Sequence, residues 1–369
     1  MEAKSSHNER NGSGPFKTTP MVRWYVDTRN LTSKTSLLPL VETLQPQDQD
    51  AVEKYLHLKD RHMSLASYLL KYLFIHRSCR IPWDEIWLSR TPAPHGRPCF
   101  IPPPISSSSK DNDDDSARLN VEFNVSHQAS LVALAGTVFY CYDSKPALLD
   151  PTPAVEGETE IGTRLPPQVG IDITCVDEQT NRGRRHANLT TTSALAQYVD
   201  IFAEVFSPRE LITIKSLASA RNEYQLQQPK TEAERVRSAL RLFYTYWALK
   251  EAYIKMTGEA LLAPWLRELE FTDVQAPEEP GSNNGNRDPS GSPLVSDPYT
   301  GTQTWLYGKK VQGLRIEVVA YEDDYLVATA ARGAGIGGGN DVDLWKDLKE
   351  IDLERDIEPC ATGQCDCLA

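Results

Sequence analysis

The sequence predicts an α+β protein of two similarly built halves, on three observations. At 369 residues the chain exceeds what one small core needs, so two domains or subdomains are expected. Strand-like alternating segments and apolar helical segments occur in each half. Between the halves, residues 142–168 are rich in Pro, Gly and Glu, a composition that breaks regular structure. No internal repeat shows at the level of residues. The reading divides the chain into a disordered N-terminus (1–20), an N-terminal subdomain (21–150), a linker (151–168), a C-terminal subdomain (169–332) with a loop insertion at 275–300, and a flexible acidic tail (333–369).

Taken in order, residues 1–20 are polar and resemble neither a signal peptide nor a transit helix. Met21 to Asp27 alternates as a strand, with Val22, Trp24 and Val26 on one side. Pro46 to Arg61 and the more apolar Ser64 to His76 read as helices. The segment Thr91-Pro-Ala-Pro-His-Gly-Arg-Pro98 excludes a helix or a central strand and is read as a loop flanked by Arg90 and Arg97. Leu119 to Val125 alternates as a strand that stops at Ser126-His127, and Leu131 to Thr137 follows as another. Gln168 to Thr174 is a strand with Val169, Ile171 and Ile173 on one face and Gly170, Asp172 and Thr174 on the other.

Thr192 to Phe206 and Pro208 to Ala218 read as helices, the second opened by Ser207-Pro208 as N-cap and first residue. A long helix runs from about Thr231 and ends at Gly258. It is apolar on two sides: Leu240, Phe243 and Trp247 form one stripe, Leu242, Tyr246, Leu249, Tyr253 and Met256 a second. Such a helix is largely buried. Leu314 to Ala320 and Tyr325 to Ala331 pair as a hairpin around Glu322-Asp323-Asp324. Trp345, Leu348 and Ile351 are spaced as a short amphipathic helix in the tail.

Composition is that of an ordinary globular protein, 40% hydrophobic and 24% charged, with formal net charge −12. Residues 338–369 hold nine acids against three bases, half of that charge. No concentrated basic surface points to nucleic acid. No apolar run reaches the ~18–20 residues that span a membrane. The seven cysteines form no CxxC pair and fit reduced thiols in a cytoplasmic protein. Cys365 and Cys367 are read as a loose terminal thiol pair, with a soft metal as the alternative.

Three stretches carry chemistry. Ser126-His127 ends a strand; adjacent residues there face opposite ways, which defeats a nucleophile–base pair but suits two donors to phosphate. Asp172 sits beside Gly170, either as an edge acid facing water or as a ligand. Lys250-Glu251 lies in the long helix with Lys255 one turn on, either as an i,i+4 salt bridge or as part of a site. Asp172 and Glu251 together supply two hard oxygen donors of the kind that hold Mg²⁺ with phosphates. Lys250, Lys255, Arg90, Arg97 and His127 would then serve a polyanion.

These residues carry a resemblance. Gly170-Ile171-Asp172-Ile173, followed by Trp247-Ala-Leu-Lys250-Glu251-Ala-Tyr-Ile-Lys255, resembles the 4′-phosphopantetheinyl transferase signature. Phe123-Asn-Val-Ser126-His127 and Gly96-Arg97-Pro98 match two further motifs in the family's order. The resemblance runs from about Trp24 to Ala331 and is to the surfactin-synthetase type, with insertions and a tail similar to those of broad-range filamentous-fungal enzymes. It implies two pseudo-twofold-related subdomains with the active site in the cleft between them. The implied reaction moves phosphopantetheine from coenzyme A to a serine of an apo acyl or peptidyl carrier protein, releasing 3′,5′-ADP. Carrier substrates would lie in polyketide and nonribosomal peptide synthases and in lysine biosynthesis.

By the same resemblance, Asp172 and Glu251 are Mg²⁺ ligands and Glu251 the base for the carrier serine. Lys255 neutralises the pyrophosphate. Ser126, His127, Arg90, Arg97 and Lys250 bind coenzyme A phosphates or line its site. The enzyme would act as a cytoplasmic monomer. Two positions depart from the family pattern. Thr174 stands where many relatives carry a second acid, so a water would complete the metal shell. Tyr68 stands where some carry a basic residue, with Lys71 as compensation. A Mg²⁺-dependent nucleotide phosphohydrolase and a non-catalytic carrier binder are the rival functions. Arg182-Gly-Arg184-Arg185 is a basic candidate for the carrier surface.

Overall fold

The computed structural model of the protein describes residues 16–92, 96–103, 118–142, 165–180, 183–184, 186, 188–219, 231–259, 263–278, 295–337 and 344–369. Most of the 151–168 linker, the centre of the 275–300 insertion, and Arg182 and Arg185 lie outside these residues.

The N-terminal half is built on a five-stranded sheet. Its centre is Leu131–Cys141, which pairs along one side with Arg118–Gln128 and along the other with Met21–Asp27 and Phe16–Thr18. The sequence earns this arrangement: Ala133, Leu134 and Ala135 are small or apolar on both faces, and all are buried. One face receives the long helix Leu58–Cys79, whose Leu65, Leu69, Tyr72 and Phe74 pack on Trp24, Phe123 and Leu134.

The C-terminal half is a three-stranded antiparallel sheet in the order Leu314–Tyr321, Tyr325–Arg332, Gln168–Cys175. The helix Glu232–Thr257 lies across it. That helix opens on a capping box between Thr231 and Glu234 and closes on Gly258 in the left-handed region at φ 83°. Phe243 and Trp247 pack edge-to-face with Phe202 and Phe206, which fixes one stripe of the helix against the helices Thr192–Asp200 and Pro208–Ser219.

The halves share a third core of Tyr25, Leu131, Val169, Ile171, Val319, Tyr325 and Trp345. Arg23 of one half forms a buried ion pair with Glu317 of the other. A ladder of side chains also joins them. Glu122, Asn124, Ser126 and Gln128 accept hydrogen bonds from the backbone N–H groups of Val169, Ile171, Ile173 and Cys175, at 3.0–3.3 Å. The free edge of the Asp172 strand is therefore satisfied by side chains where a sheet would use backbone.

Several expectations are corrected. The 1–20 segment is not wholly disordered, because Phe16–Thr18 is a strand. The Pro46–Arg61 helix is two helices, Pro46–Glu53 and the start of Leu58–Cys79. Thr192 to Phe206 is helical only to Asp200. The strand expected to stop at Ser126-His127 continues to Gln128.

The largest correction concerns the flexible acidic tail. Trp345–Glu350 is a strand, not a helix, and pairs parallel with Met21–Asp27. The guanidinium groups of Arg23 and Arg315 lie over the Trp345 ring, at 5.5 and 4.3 Å from its centroid. Beyond it Ile351, Ile357 and Cys360 are buried in the N-terminal core. Lys346, Asp347, Lys349 and Glu350 are exposed, which leaves Trp345 and Leu348 as the thin apolar edge that docks.

Candidate active site

Asp172 is placed by its strand. Gly170, two residues earlier on the same face, lets the Trp247 helix approach: a Cβ there would stand 2.1 Å from the Ala252 carbonyl oxygen and 2.4 Å from Met256 N. The helix consequently crosses the strand with Glu251 and Lys255 beside Asp172. Lys255 Nζ lies 2.6 Å from Asp172 Oδ1 and 2.9 Å from Ser126 Oγ. Thr174 Oγ1 donates to Asp172 Oδ2 at 2.9 Å. Both oxygens of this carboxylate, which is only 5% exposed, are thus held.

Glu251 is the contrasting acid. The i,i+4 salt bridge to Lys255 does not form, because Lys255 is taken by Asp172. Among the described residues no hydrogen bond or ion pair reaches the Glu251 carboxylate. Burial first, then the neighbouring Asp172 charge, push its pKa up to about 7, against a partial offset from Lys255. Beside Asp172, whose oxygens are held by Lys255 and Thr174, Glu251 is an unpartnered acid poised near neutrality, as a proton acceptor requires.

Ser126 serves the carboxylate. Its hydroxyl donates to Asp172 Oδ1 at 3.2 Å while it accepts from Lys255 and from Ile173 N–H. Its hydrogen bonds are thus made inside the protein, to Asp172, Lys255 and Ile173 rather than towards solvent. His127, next along the strand, is exposed on the other face. Enclosure by its surroundings, then the charges of Lys255 and Lys71, lower its pKa.

A cationic wall stands nearby. Lys71 is buried, with Nζ 3.9 Å above the Tyr68 ring. Desolvation lowers it to about 8 against the pull of Asp48, with Arg90 adding to the lowering. Arg90 is exposed and donates to the Gly96 carbonyl at 2.9 Å, closing the Thr91–Pro98 loop. Arg97 bridges the halves, donating to Glu122 at 3.1 Å and to the Val169 carbonyl at 3.2 Å.

Lys250 is the clear misplacement. It points away from Asp172 into the C-terminal core, 1% exposed, where Nζ lies 2.9 Å from Glu210 and donates to the carbonyls of Leu266 and Leu269. Successive helical residues are turned by ~100°, so Lys250 and Glu251 cannot face one cleft. Glu210 itself escaped sequence reasoning. Its only signal was the spacing Ser207-Pro-Arg-Glu210, which here closes as a reciprocal cap: Ser207 N–H donates to Glu210, and Glu210 N–H to Ser207 Oγ.

Residues 168–304 match the 4′-phosphopantetheinyl transferase superfamily model, and residues 31–139 match the model of the 4′-phosphopantetheinyl transferase N-terminal region. The chain is 54% identical to 4′-phosphopantetheinyl transferase A of Aspergillus fumigatus, over 98% of each protein. It belongs to the 4′-phosphopantetheinyl transferase family.

A second fungal relative of this transferase, NpgA of Emericella nidulans, is 52% identical over 95% of this chain and 97% of its own length. The human L-aminoadipate-semialdehyde dehydrogenase-phosphopantetheinyl transferase is 24% identical over 84% of this chain and 74% of its own. The transferase thus resembles fungal members of the family over nearly its whole length, and its fold brings Asp172, Glu251 and Lys255 together.

The donor set suits a hard divalent cation. Asp172 and Glu251 offer carboxylate oxygens, and Glu251 has no protein partner to displace. Thr174 spends its proton on Asp172 and strengthens that carboxylate's position.

Proposed function

We propose that this transferase moves the phosphopantetheine of coenzyme A onto a serine of an apo carrier protein at the Asp172–Glu251–Lys255 cluster. The unpartnered Glu251, with its pKa near neutrality, carries the reading. A serine hydroxyl is a weak nucleophile and needs proton removal and positioning. Glu251 accepts that proton, directly or through a water. The serine oxygen attacks the β-phosphorus of the pyrophosphate, and 3′,5′-ADP departs as the P–O bond breaks. Lys255 offsets charge on the pyrophosphate, with Asp172 and Ser126 fixing its ammonium.

Asp172 and Glu251 are the residues that would hold Mg²⁺. The ion, when bound, supplies neutralisation of the pyrophosphate charge. Lys71, Arg90 and His127 form the basic side of the nucleotide site, and Lys71 offsets the aromatic Tyr68. Arg97 acts from behind, holding the two halves in register. The surfactin-synthetase type, the pseudo-twofold pairing of subdomains and a monomeric cytoplasmic enzyme are part of the same proposal. They are supported by motif order and by a sheet with a long helix in each half. Carriers of polyketide and nonribosomal peptide synthases and of lysine biosynthesis are the proposed acceptors. The name of the mammalian relatives supports the last of these.

The test is mass spectrometry of an apo carrier protein after incubation with the chain, coenzyme A and Mg²⁺, with an EDTA control. A metal-dependent gain of one phosphopantetheine on the carrier serine is the expected result. Coenzyme A consumed without carrier modification would favour the phosphohydrolase. Tight carrier binding unaffected by metal, with coenzyme A intact, would favour a binder.

A further inference from the structure

The last turn of the chain brings three cysteines to one histidine. His76 Nε2 and the sulfurs of Cys360, Cys365 and Cys367 all lie within 4.8 Å of one another. Two elements create the cluster. His76 is in the last turn of the Leu58–Cys79 helix, buried at 2% exposure. The cysteines follow the docked strand Trp345–Glu350 in the spacing Cys360-Ala-Thr-Gly-Gln-Cys365-Asp-Cys367. Gly363, at φ +72°, turns the chain so that Cys365 and Cys367 come back over Cys360.

We propose that His76, Cys360, Cys365 and Cys367 form a structural Zn²⁺ site, separate from the catalytic carboxylates. Three arguments carry it. The donor set is one of the combinations that structural zinc uses, and four protein ligands leave no open position for catalysis.

The spacings fit a tetrahedron. With Zn–S about 2.3 Å and Zn–N about 2.1 Å, sulfurs should lie about 3.8 Å apart and sulfur and nitrogen about 3.6 Å. Cys360 and Cys367 sulfurs are 3.7 Å apart, and His76 Nε2 is 3.1 Å from Cys365 Sγ. A small outward adjustment of the imidazole admits the ion.

The histidine is already oriented for a metal. Its Nδ1 lies 2.7 Å from the Ile81 carbonyl, a partner that only accepts, so Nδ1 carries the proton and Nε2 presents a lone pair to the thiols. A surface cavity of about 520 Å³, lined by Trp83, His76, Cys360 and Cys365 among others, gives the ion a route in. Binding converts the three thiols to thiolates and releases their protons to solvent. The bound ion would clamp the C-terminal segment to the helix that carries Tyr68 and Lys71.

The test is metal analysis of the full chain purified under reducing conditions, without chelator, and of the same chain reconstituted with Co²⁺. About one zinc per chain is expected, with intense thiolate-to-cobalt charge-transfer absorption and the d–d bands of a tetrahedral site. Cys365→Ser and Cys367→Ser should each lose the zinc at least ~10-fold, whereas Glu251→Gln should keep it. Should the cysteine variants fail to fold, the cobalt spectrum of the unaltered chain decides alone. Zinc far below one equivalent after reconstitution, with no tetrahedral cobalt spectrum, would overturn the site. So would a Cys360–Cys367 disulfide in the reduced preparation, or zinc that departs with Glu251→Gln.

Discussion

Glu251 carries a cost that function explains. Its pKa is raised from 4.5 to about 7 by burial and by Asp172, so the folded state holds more protons than the unfolded chain between those values. Stability from this group is therefore lost as pH rises through that window, and the full penalty is present above about 7. Glu251→Gln should be more stable than the parent at pH 8 by roughly 1–3 kcal/mol in EDTA, with the difference nearly gone at pH 4, below the unfolded pKa. Urea melts at the two pH values measure it. The same substitution, and Asp172→Ala, should each cut transfer by at least ~10²-fold; near-normal turnover in either would remove the site assignment.

Lys250 predicts the opposite pattern. Lys250→Ala leaves Glu210 buried without its cation and should destabilise by roughly 3–5 kcal/mol, while the folded fraction keeps turnover within a few-fold. A melting curve beside an active-site titration separates the two. Asp172, Glu251 and Lys255 were legible in the sequence because a glycine beside an acid and a helix with charges one turn apart are local patterns. Lys250 shares the motif with Glu251, but helical rotation turns it into the core, where Glu210 holds it. The partners of Ser126 inside the protein, Asp172 and Ile173, lie 46 and 47 residues away and are not legible in the sequence.

At the scale of elements, the strand–helix crossing at Gly170 sets the site. Gly170→Ala must push the helix off the strand, since the blocking atoms are helix backbone that no rotamer can clear. Overpacking of this kind costs about 1–3 kcal/mol or more, and it moves Glu251 and Lys255 away from Asp172 together. We expect both a lower melting temperature and a turnover loss at assay temperatures where the protein remains folded. Unchanged turnover in the folded variant would show that the crossing is not what aligns the carboxylates. The major strands and the capped helix were legible from period and caps. The Trp345–Glu350 strand was not: four of its six residues are charged, and Trp345, Leu348 and Ile351 fit a helical spacing equally well. Only its parallel pairing with Met21–Asp27, more than 300 residues away, decides.

For the whole molecule, the ordered C-terminus reverses what its composition suggests. Acidic and poor in long apolar runs, it reads as solvated. Yet the Trp345 ring lies against Arg23 and Arg315, which both pair with the buried Glu317, so it covers the Arg23–Glu317 pair that joins the halves. Removing residues 344–369 exposes that pair and strips Ile351, Ile357 and Cys360 from the core. The truncated chain should melt at a clearly lower temperature and be cleaved faster by protease. Equal melting temperatures with and without the segment would contradict this.

The ladder between the halves has a final consequence. Glu122, Asn124, Ser126 and Gln128 run long, medium, short, long, yet each spans to a backbone N–H at nearly the same bond length. The shortest of the four, Ser126, meets Ile173 N–H next to Asp172. These four residues act as spacer blocks of graded thickness. Their sizes, more than their polarity, set the width of the joint to which the Asp172 carboxylate is fastened.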